Sequence, residues 1–285
     1  MGSLAKRIGQ LTARSIESES SQIIRTIQSN KIPNSLSQRL DTTLKDSHDM
    51  KVFGLGTLSS MSNIDRYARF THSMYGIYST MEKELDLAAA NANATNSSPV
   101  KNFWNRHERI LRRSEKLKQD LLDIGRDVKS MEYSPATERY MNAIRGSGTN
   151  DREHDGGLLL GHAYTRYLAD LMGGSVLATP TRLALGLKSD SPQQYSFDLN
   201  IDGEFEMTRK EYVEKIYFDL NASGDILLGD IDKDDEKGGA ILEQVVDEAR
   251  SAFRHNIEVY SEEPIYMNSV RGLLNIISGW VFKRK

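Results

Sequence analysis

The sequence predicts an all-α protein. Three observations carry that expectation. Apolar residues recur at three- and four-residue intervals in several long stretches, Pro, Gly or polar runs punctuate them, and no strand–helix alternation, P-loop or dinucleotide fingerprint appears. The composition agrees: 285 residues, 38% hydrophobic and 27% charged, suit one large domain with extensions. A formal charge of −3 gives no general reason to expect a nucleic-acid partner. Cysteine is absent, which excludes disulfides, thiolate nucleophiles and cysteine–zinc sites and leaves six histidines for any nitrogen ligation. No apolar run approaches the ~18–20 residues that a membrane-spanning helix needs.

Residues 1–33 read as an N-terminal extension, closed by Pro33. Lys6, Arg7 and Arg14 precede the first acid, Glu17. An organelle transit peptide and a short basic leader share that bias, so the compartment stays open between cytoplasm, plastid and mitochondrion, all intracellular. From Asn34 a clear helix begins: Leu36, Leu40, Leu44 and His48 form one stripe, with Asn34 or Ser35 as cap. His48 thus continues an apolar face. It is either a hydrogen-bonded core histidine or an axial ligand to an iron held against the helix. Gly54 and Gly56 are expected to end the helix.

A second helix is expected over 63–87, carrying Tyr67, Phe70, Met74, Ile77, Tyr78, Met81 and Leu85. The low-complexity stretch 88–98 reads as a polar loop. Residues 101–129 are expected as one charged helix. Its Arg106, Arg109, Arg112 and Arg113 lie among Glu108, Glu115 and Asp120, which points to a solvated face rather than a basic patch. A helix from Tyr133 to about Arg145 then gives way to a Gly-containing loop, 146–157.

The stretch from Gly161 to Gly174 has helical spacing but carries two adjacent glycines and a lone carboxylate, Asp170. Each interior Gly costs about 1 kcal/mol relative to Ala, so something should compensate. Ala169 and Gly173 share a face on which the backbone is nearly bare. Such a strip admits either a flat ligand or a closely packed helix, and spacing alone does not choose.

Pro180 and 186–194 are expected to end that element, and the alternation in 195–207 reads as a short hairpin or extended loop. Lys210–Leu220 is expected as helix and 225–239 as an acidic insertion. Asp230, Asp232 and Asp234 imitate a calcium loop, but Asp235 stands where Gly is required and Ile241 where a bidentate Glu is required. A last long helix over 240–261 places Phe253, Tyr260 and nearby Asn256 on its apolar side. The division is therefore an extension (1–33), a helical domain (34–263) and a tail (264–285). The tail is apolar and ends in Lys283-Arg284-Lys285. It either docks on the domain, the preferred reading, or makes peripheral contact with a membrane.

The string HAYTRYLADLMGG at 162–174 closely resembles the distal-helix signature of the haem oxygenase family. Thr43–His48 resembles the family's proximal-histidine segment. The stretches beginning at Ser73, Gln119, Tyr133 and Glu248 resemble others, in family order. The resemblance implies a haem-oxygenase-like helical bundle with haem sandwiched between a proximal and a distal helix. It implies oxidative cleavage of haem, both substrate and cofactor, to biliverdin, CO and ferrous iron. O2 and electrons from an NADPH reductase or ferredoxin would be consumed. On that resemblance His48 is the iron ligand, and Ala169, Gly173 and Gly174 line the oxygen-binding face, with Phe253 at the haem. Asp170, supported by Arg166, Tyr78 and Asn256, orders the distal water network. Lys45 and Tyr164 hold propionates at the rim, with Lys215 as the nearest basic residue at the far end.

Three positions depart from the family pattern. Ala169 occupies a usual glycine, Met172 a usual small polar residue, and the basic pair expected near Lys215 is reduced to that single lysine. They motivate an alternative: a catalytically inactive haem-binding or scaffolding protein on the same fold. A non-haem di-iron protein would need Glu-x-x-His pairs on core faces, and the sequence has none there.

Overall fold

The computed structural model describes residues 31–46, 50–91, 98–200 and 207–282. Those residues form eleven α-helices. In chain order they are α1 (Leu36–Asp46), α2 (Met50–Ser60), α3 (Ile64–Ala90), α4 (Pro99–Leu111), α5 (Ser114–Asp123) and α6 (Pro135–His154). There follow α7 (Leu158–Ala163), α8 (Ser175–Leu185), α9 (Arg209–Leu228), α10 (Glu236–Ser261) and α11 (Ile265–Phe282). No β-strand occurs among the described residues. The all-α expectation holds.

Two long helices organise the bundle. α3 opens on Asn63, whose side chain accepts from the Arg66 amide at 2.9 Å and satisfies one of the orphan donors of the first turn. Its apolar stripe, Tyr67, Met74, Ile77, Tyr78, Met81 and Leu85, is buried against α4, α5 and α6. α10 buries Leu242, Val245, Val246, Ala249, Ala252 and Val259 against α1, α2, α6 and α7. Between them runs α7, in contact with α3, α6 and α10. Gly161 makes its close approach to α10 feasible, because a Cβ there would come within 2.7 Å of the Val245 carbonyl and 2.8 Å of the Ala249 nitrogen.

Several sequence expectations are corrected. Gly54 and Gly56 do not end a helix but lie inside α2, where bare Gly56 is packed under the Tyr260 ring. Gly146 and Gly148 lie inside α6, which continues to His154, and Gly148 leaves room for the Glu84 side chain of α3. The single helix expected over 101–129 is broken at Arg112–Arg113. Arg113 is no solvated residue: it is 1% exposed and gives its guanidinium to the carbonyls of Ile110, Leu111 and Ser196, over the Phe197 ring. A side chain that bonds the C-terminal carbonyls of α4 caps it, which is why the chain turns there. Asp120, also buried, accepts from the Gln193 and Gln194 amides instead of facing solvent.

Pro180 lies inside α8 rather than ending it, and α9 runs eight residues past the expected end, to Leu228. In the stretch expected as a short hairpin or extended loop, 193–195 form a 3-10 turn, 196–199 are irregular and Asn200 is a bridge residue. The Met207 amide donates to the Leu199 carbonyl at 3.3 Å; 201–206 fall outside the described residues, as does most of the 88–98 stretch. The acidic segment is helical at both ends, with the turn confined to 229–235. The tail is helical and docked on α2 and α8.

Candidate functional site

The site is built on one continuous helical run from Leu158 to Leu185. α7 passes into two π-helical turns, Tyr164–Leu168 and Asp170–Gly174, before α8 begins. A π turn widens the helix by one residue and re-aims the side chains on it, and such turns concentrate at functional sites. Here the two turns flank Ala169. Leu168, Leu171 and Met172 around it are 0–4% exposed, whereas Ala169 is exposed and Asp170 is partly accessible. An exposed methyl amid buried neighbours marks where the helix faces open space rather than another element.

Four polar side chains predicted from sequence meet beside that opening. The Tyr78 hydroxyl, from α3, donates to Asp170 Oδ2 in a short hydrogen bond. Arg166 Nη1 donates to Asn256 Oδ1, from α10, at 2.8 Å. The guanidinium lies 5.0 Å from the centroid of the Tyr78 ring. Burial pushes the Asp170 carboxyl above the ordinary carboxylate range, against the opposing pull of Arg166, the Tyr78 hydrogen bond and Arg113. Burial likewise raises the Tyr78 phenol, so it stays a donor at any ordinary pH. A carboxylate with a raised proton affinity beside open space is the signature of a functional group rather than a structural ion pair.

Residues that the sequence did not single out complete the site. Tyr260 interacts with Arg166 and Thr57 and spans from α10 to α2. Phe253, Asn256 and Tyr260 stand at spacings of three and four on α10, the apolar side on which the sequence places them, although spacing gave Tyr260 no role at the site. Met74 contacts Arg166 Nη2 through its sulfur at 3.1 Å, and Tyr195 covers Gly174, where a Cβ would come within 2.8 Å of its ring. No local sequence signal pointed to either. Tyr195 and Tyr260, like Asp170, are hemmed in by protein yet keep accessible surface, as cavity-lining groups do.

The structure does not gather every predicted residue here. Phe253 is buried, one turn of α10 before Asn256. His48 lies outside the described residues, between α1 and α2, and Lys45 stands in the last turn of α1. Tyr164 is turned away from the opening: it donates to Asp41 Oδ1 of α1 at 2.6 Å, and Tyr217 donates to the same oxygen at 2.6 Å. All three are at most 4% exposed. Lys215, two residues from Tyr217, points to another face of α9, where it pairs with Asp219 at 3.4 Å.

For a flat iron macrocycle the residues present fit on the distal side. They offer an accessible Ala169, buried Gly173 and Gly174 in a widened turn, and a polar cluster at one edge. Two buried donors of that cluster, Arg166 Nε and Asn256 Nδ2, have no partner among the described residues, as donors that serve ordered water would. Where the rim should hold carboxylates, the described side chains are instead Asp41 and the two tyrosines on it.

Comparison with known proteins bears on the fold and the family. The heme oxygenase family model matches residues 34–262. Heme oxygenase 2 of Oryctolagus cuniculus is 28% identical over 238 residues, 80% of this chain and 65% of that protein. Heme oxygenase 1 of Nostoc sp. is 27% identical over 238 residues, 80% of this chain and 85% of that protein. The chain thus spans somewhat under two thirds of the rabbit relative's length. Among solved structures, heme oxygenase-1 from Synechocystis in complex with heme superposes with a TM-score of 0.62 at 23% identity. That match covers 87% of this chain and 99% of the other. Heme oxygenase 2 from Chlamydomonas reinhardtii, without heme, gives 0.65 at 19% identity and covers 81% and 98%. At those identities the superpositions speak for the fold. The family match over most of the helical domain speaks for descent, and the chain belongs to the heme oxygenase family.

Proposed function

We propose that this chain binds haem against the π-turned helix and cleaves it to biliverdin, CO and ferrous iron, consuming O2 and electrons from an NADPH reductase or ferredoxin. The observation that carries the reading is Asp170: a carboxylate of raised proton affinity, tied to Tyr78 and flanked by Arg166, beside Ala169, the exposed residue between the two π turns. His48, which follows α1 in the sequence, would ligate the iron, Ala169, Gly173, Gly174 and Phe253 would wall the ring, and Lys45 would approach its carboxylates. Bound there, haem supplies the iron that takes up O2 and the ring carbon that is oxidised.

The protein's part is positional and protic. Tyr78 occupies Asp170 Oδ2, which fixes the carboxylate's rotamer and leaves Oδ1 with capacity to order water. Asn256 holds Arg166 Nη1, so the guanidinium stays where it favours the ionised carboxylate. A carboxyl whose proton affinity burial raises takes up a proton more readily than an exposed one, and can pass it on through ordered water. Buried Leu168, Leu171 and Met172 keep bulk water from the remaining sides.

A second reading, a haem-binding protein without turnover, draws on the rim. There the Tyr164 hydroxyl is held by Asp41 and Lys215 by Asp219. One experiment separates the two. Haemin is titrated at the Soret band, then a reductant and O2 are supplied while biliverdin and CO are followed. Turnover supports the enzyme. A histidine-type haem spectrum with no biliverdin and no CO overturns it in favour of the second reading, and failure to bind haemin overturns both.

A further inference from the structure

A chain of oxidisable rings leads out of the site. Tyr78, which donates to Asp170 at the opening, has its ring centroid 5.5 Å from that of Tyr167, tilted by 47°. Tyr167 in turn stacks on Trp104 of α4, at 6.1 Å and 24°. Trp104 Nε1 donates to Asp86 Oδ1 at 2.7 Å, and Asp86, half exposed, stands eight residues after Tyr78 on α3. The route therefore runs about 12 Å along that helix, from the opening to solvent. Arg112 lies over the Trp104 ring, 5.1 Å from its centroid, with its charge offset by Asp86 and Glu108.

Packing alone does not ask for these groups. Each end of the chain has a proton acceptor, Asp170 for Tyr78 and Asp86 for Trp104. The middle has none: the Tyr167 hydroxyl is buried without a partner among the described residues, a loss of stability that phenylalanine would avoid. Its oxygen does make the ring easier to oxidise than that of phenylalanine. Tyr167 is thus suited to pass an electron without giving up its proton.

We infer that Tyr78, Tyr167 and Trp104 form a conduit that moves one-electron oxidising equivalents from the haem site to Trp104. The inference rests on haem lying at the opening, as proposed above. The oxidant is the one that hydrogen peroxide produces at a haem iron when the ring is not cleaved. Tyr78 gives that oxidant one electron and gives its phenolic proton to Asp170 Oδ2, its hydrogen-bond partner. Trp104 then gives one electron through the Tyr167 ring to the Tyr78 radical, which recovers its proton from Asp170. The indole proton passes to Asp86 Oδ1. The net change is one electron delivered to the oxidant and a neutral indole radical beside a protonated carboxyl at the surface. A soluble reductant such as ascorbate returns one electron, and the indole recovers its proton from Asp86. The site is left reduced and undamaged.

The chain has two tryptophans, and they separate conduction from diffusion: Trp104 is 1% exposed and Trp280 is 52% exposed. The full chain is loaded with haemin, treated with hydrogen peroxide without a reductant, digested, and mapped by mass spectrometry for oxidised tryptophan. An oxidant that diffuses through solvent marks Trp280. Conduction marks Trp104, at least about fivefold more, and ascorbate suppresses the mark. In Tyr167→Phe the ring and its packing remain, so Tm should be unchanged or higher while oxidation of Trp104 falls at least about fivefold. Oxidation confined to Trp280 and other exposed residues overturns the conduit, as does no oxidation at all. Equal oxidation of Trp104 in the haem-free chain, or undiminished oxidation in Tyr167→Phe, overturns it too. Haemin loading is read separately at the Soret band, so each of these results leaves the haem reading standing, whereas a chain that takes up no haemin overturns both.

Discussion

Two carboxylates, partly accessible Asp170 and buried Asp219, sit in polar networks with opposite electrostatics. Asp219 of α9 is 1% exposed and fully engaged: Arg106 bonds Oδ1, while His107 Nε2 at 2.9 Å and Lys215 at 3.4 Å meet Oδ2. Tyr212 closes the far side of the imidazole at 3.1 Å. Burial works against ionisation of Asp219, but the His107 hydrogen bond and the Arg106 and Lys215 charges outweigh it and hold the carboxyl down to about 2. Burial also keeps His107 below its ordinary value, so near neutral pH the imidazole serves Asp219 as a donor rather than as a charge. Around Asp170 the balance runs the other way, with burial on top, donors left over and accessible surface beside it. A carboxylate whose partners are complete holds helices together. One whose partners are incomplete beside an opening is available to a ligand.

Breaking each network separately tests the contrast. Asp219→Ala should be the most costly change, about 1–3 kcal/mol in urea unfolding, because it leaves buried His107 without its acceptor. Haemin affinity of the folded fraction should stay within twofold of the parent. Asp170→Asn should do the reverse: biliverdin formation falls about 100-fold or more while the urea midpoint moves little. If both variants lose stability equally, the contrast fails.

Smaller changes sharpen it. Ala169→Leu adds bulk on the exposed position between the π turns, so the haemin dissociation constant from Soret titration should rise about tenfold, or 1.4 kcal/mol, with Tm unchanged. Unchanged affinity would mean that the opening is not where haem lies. Tyr78→Phe removes the donor to Asp170 and should cost about 1 kcal/mol of stability and a modest part of the rate. The smallest effect is a pH dependence. Because Asp219 is lowered in the folded protein, its contribution is fully present above the unfolded value of about 4 and is lost as pH falls toward 2. In Asp219→Asn the slope of stability between pH 4 and 2 should flatten.

The four residues gathered at the opening, Asp170, Arg166, Tyr78 and Asn256, were all legible, because helical spacing and family likeness act on local strings. The breaks were less so. Gly56 and Gly148 read locally as helix breakers and in fact sit inside helices, because Tyr260 and Glu84, distant in sequence, need the space where a Cβ would be. Arg113 read as a surface charge for the same reason: the Ser196 carbonyl that receives it is 83 residues away. Tyr164 had a rim role by likeness alone, and its bond to Asp41 spans 123 residues.

By itself, then, the sequence determined that the chain is a bundle of amphipathic helices, where most of them lie, and which side chains on them carry chemistry, since a helical face is written in a period of three to four residues. Tertiary structure alone decided which glycines interrupt and which pack, which carboxylate is satisfied and which is left open, and where α11 docks. Those outcomes depend on groups brought together from far along the chain, and neither desolvation nor close packing leaves a trace in local spacing.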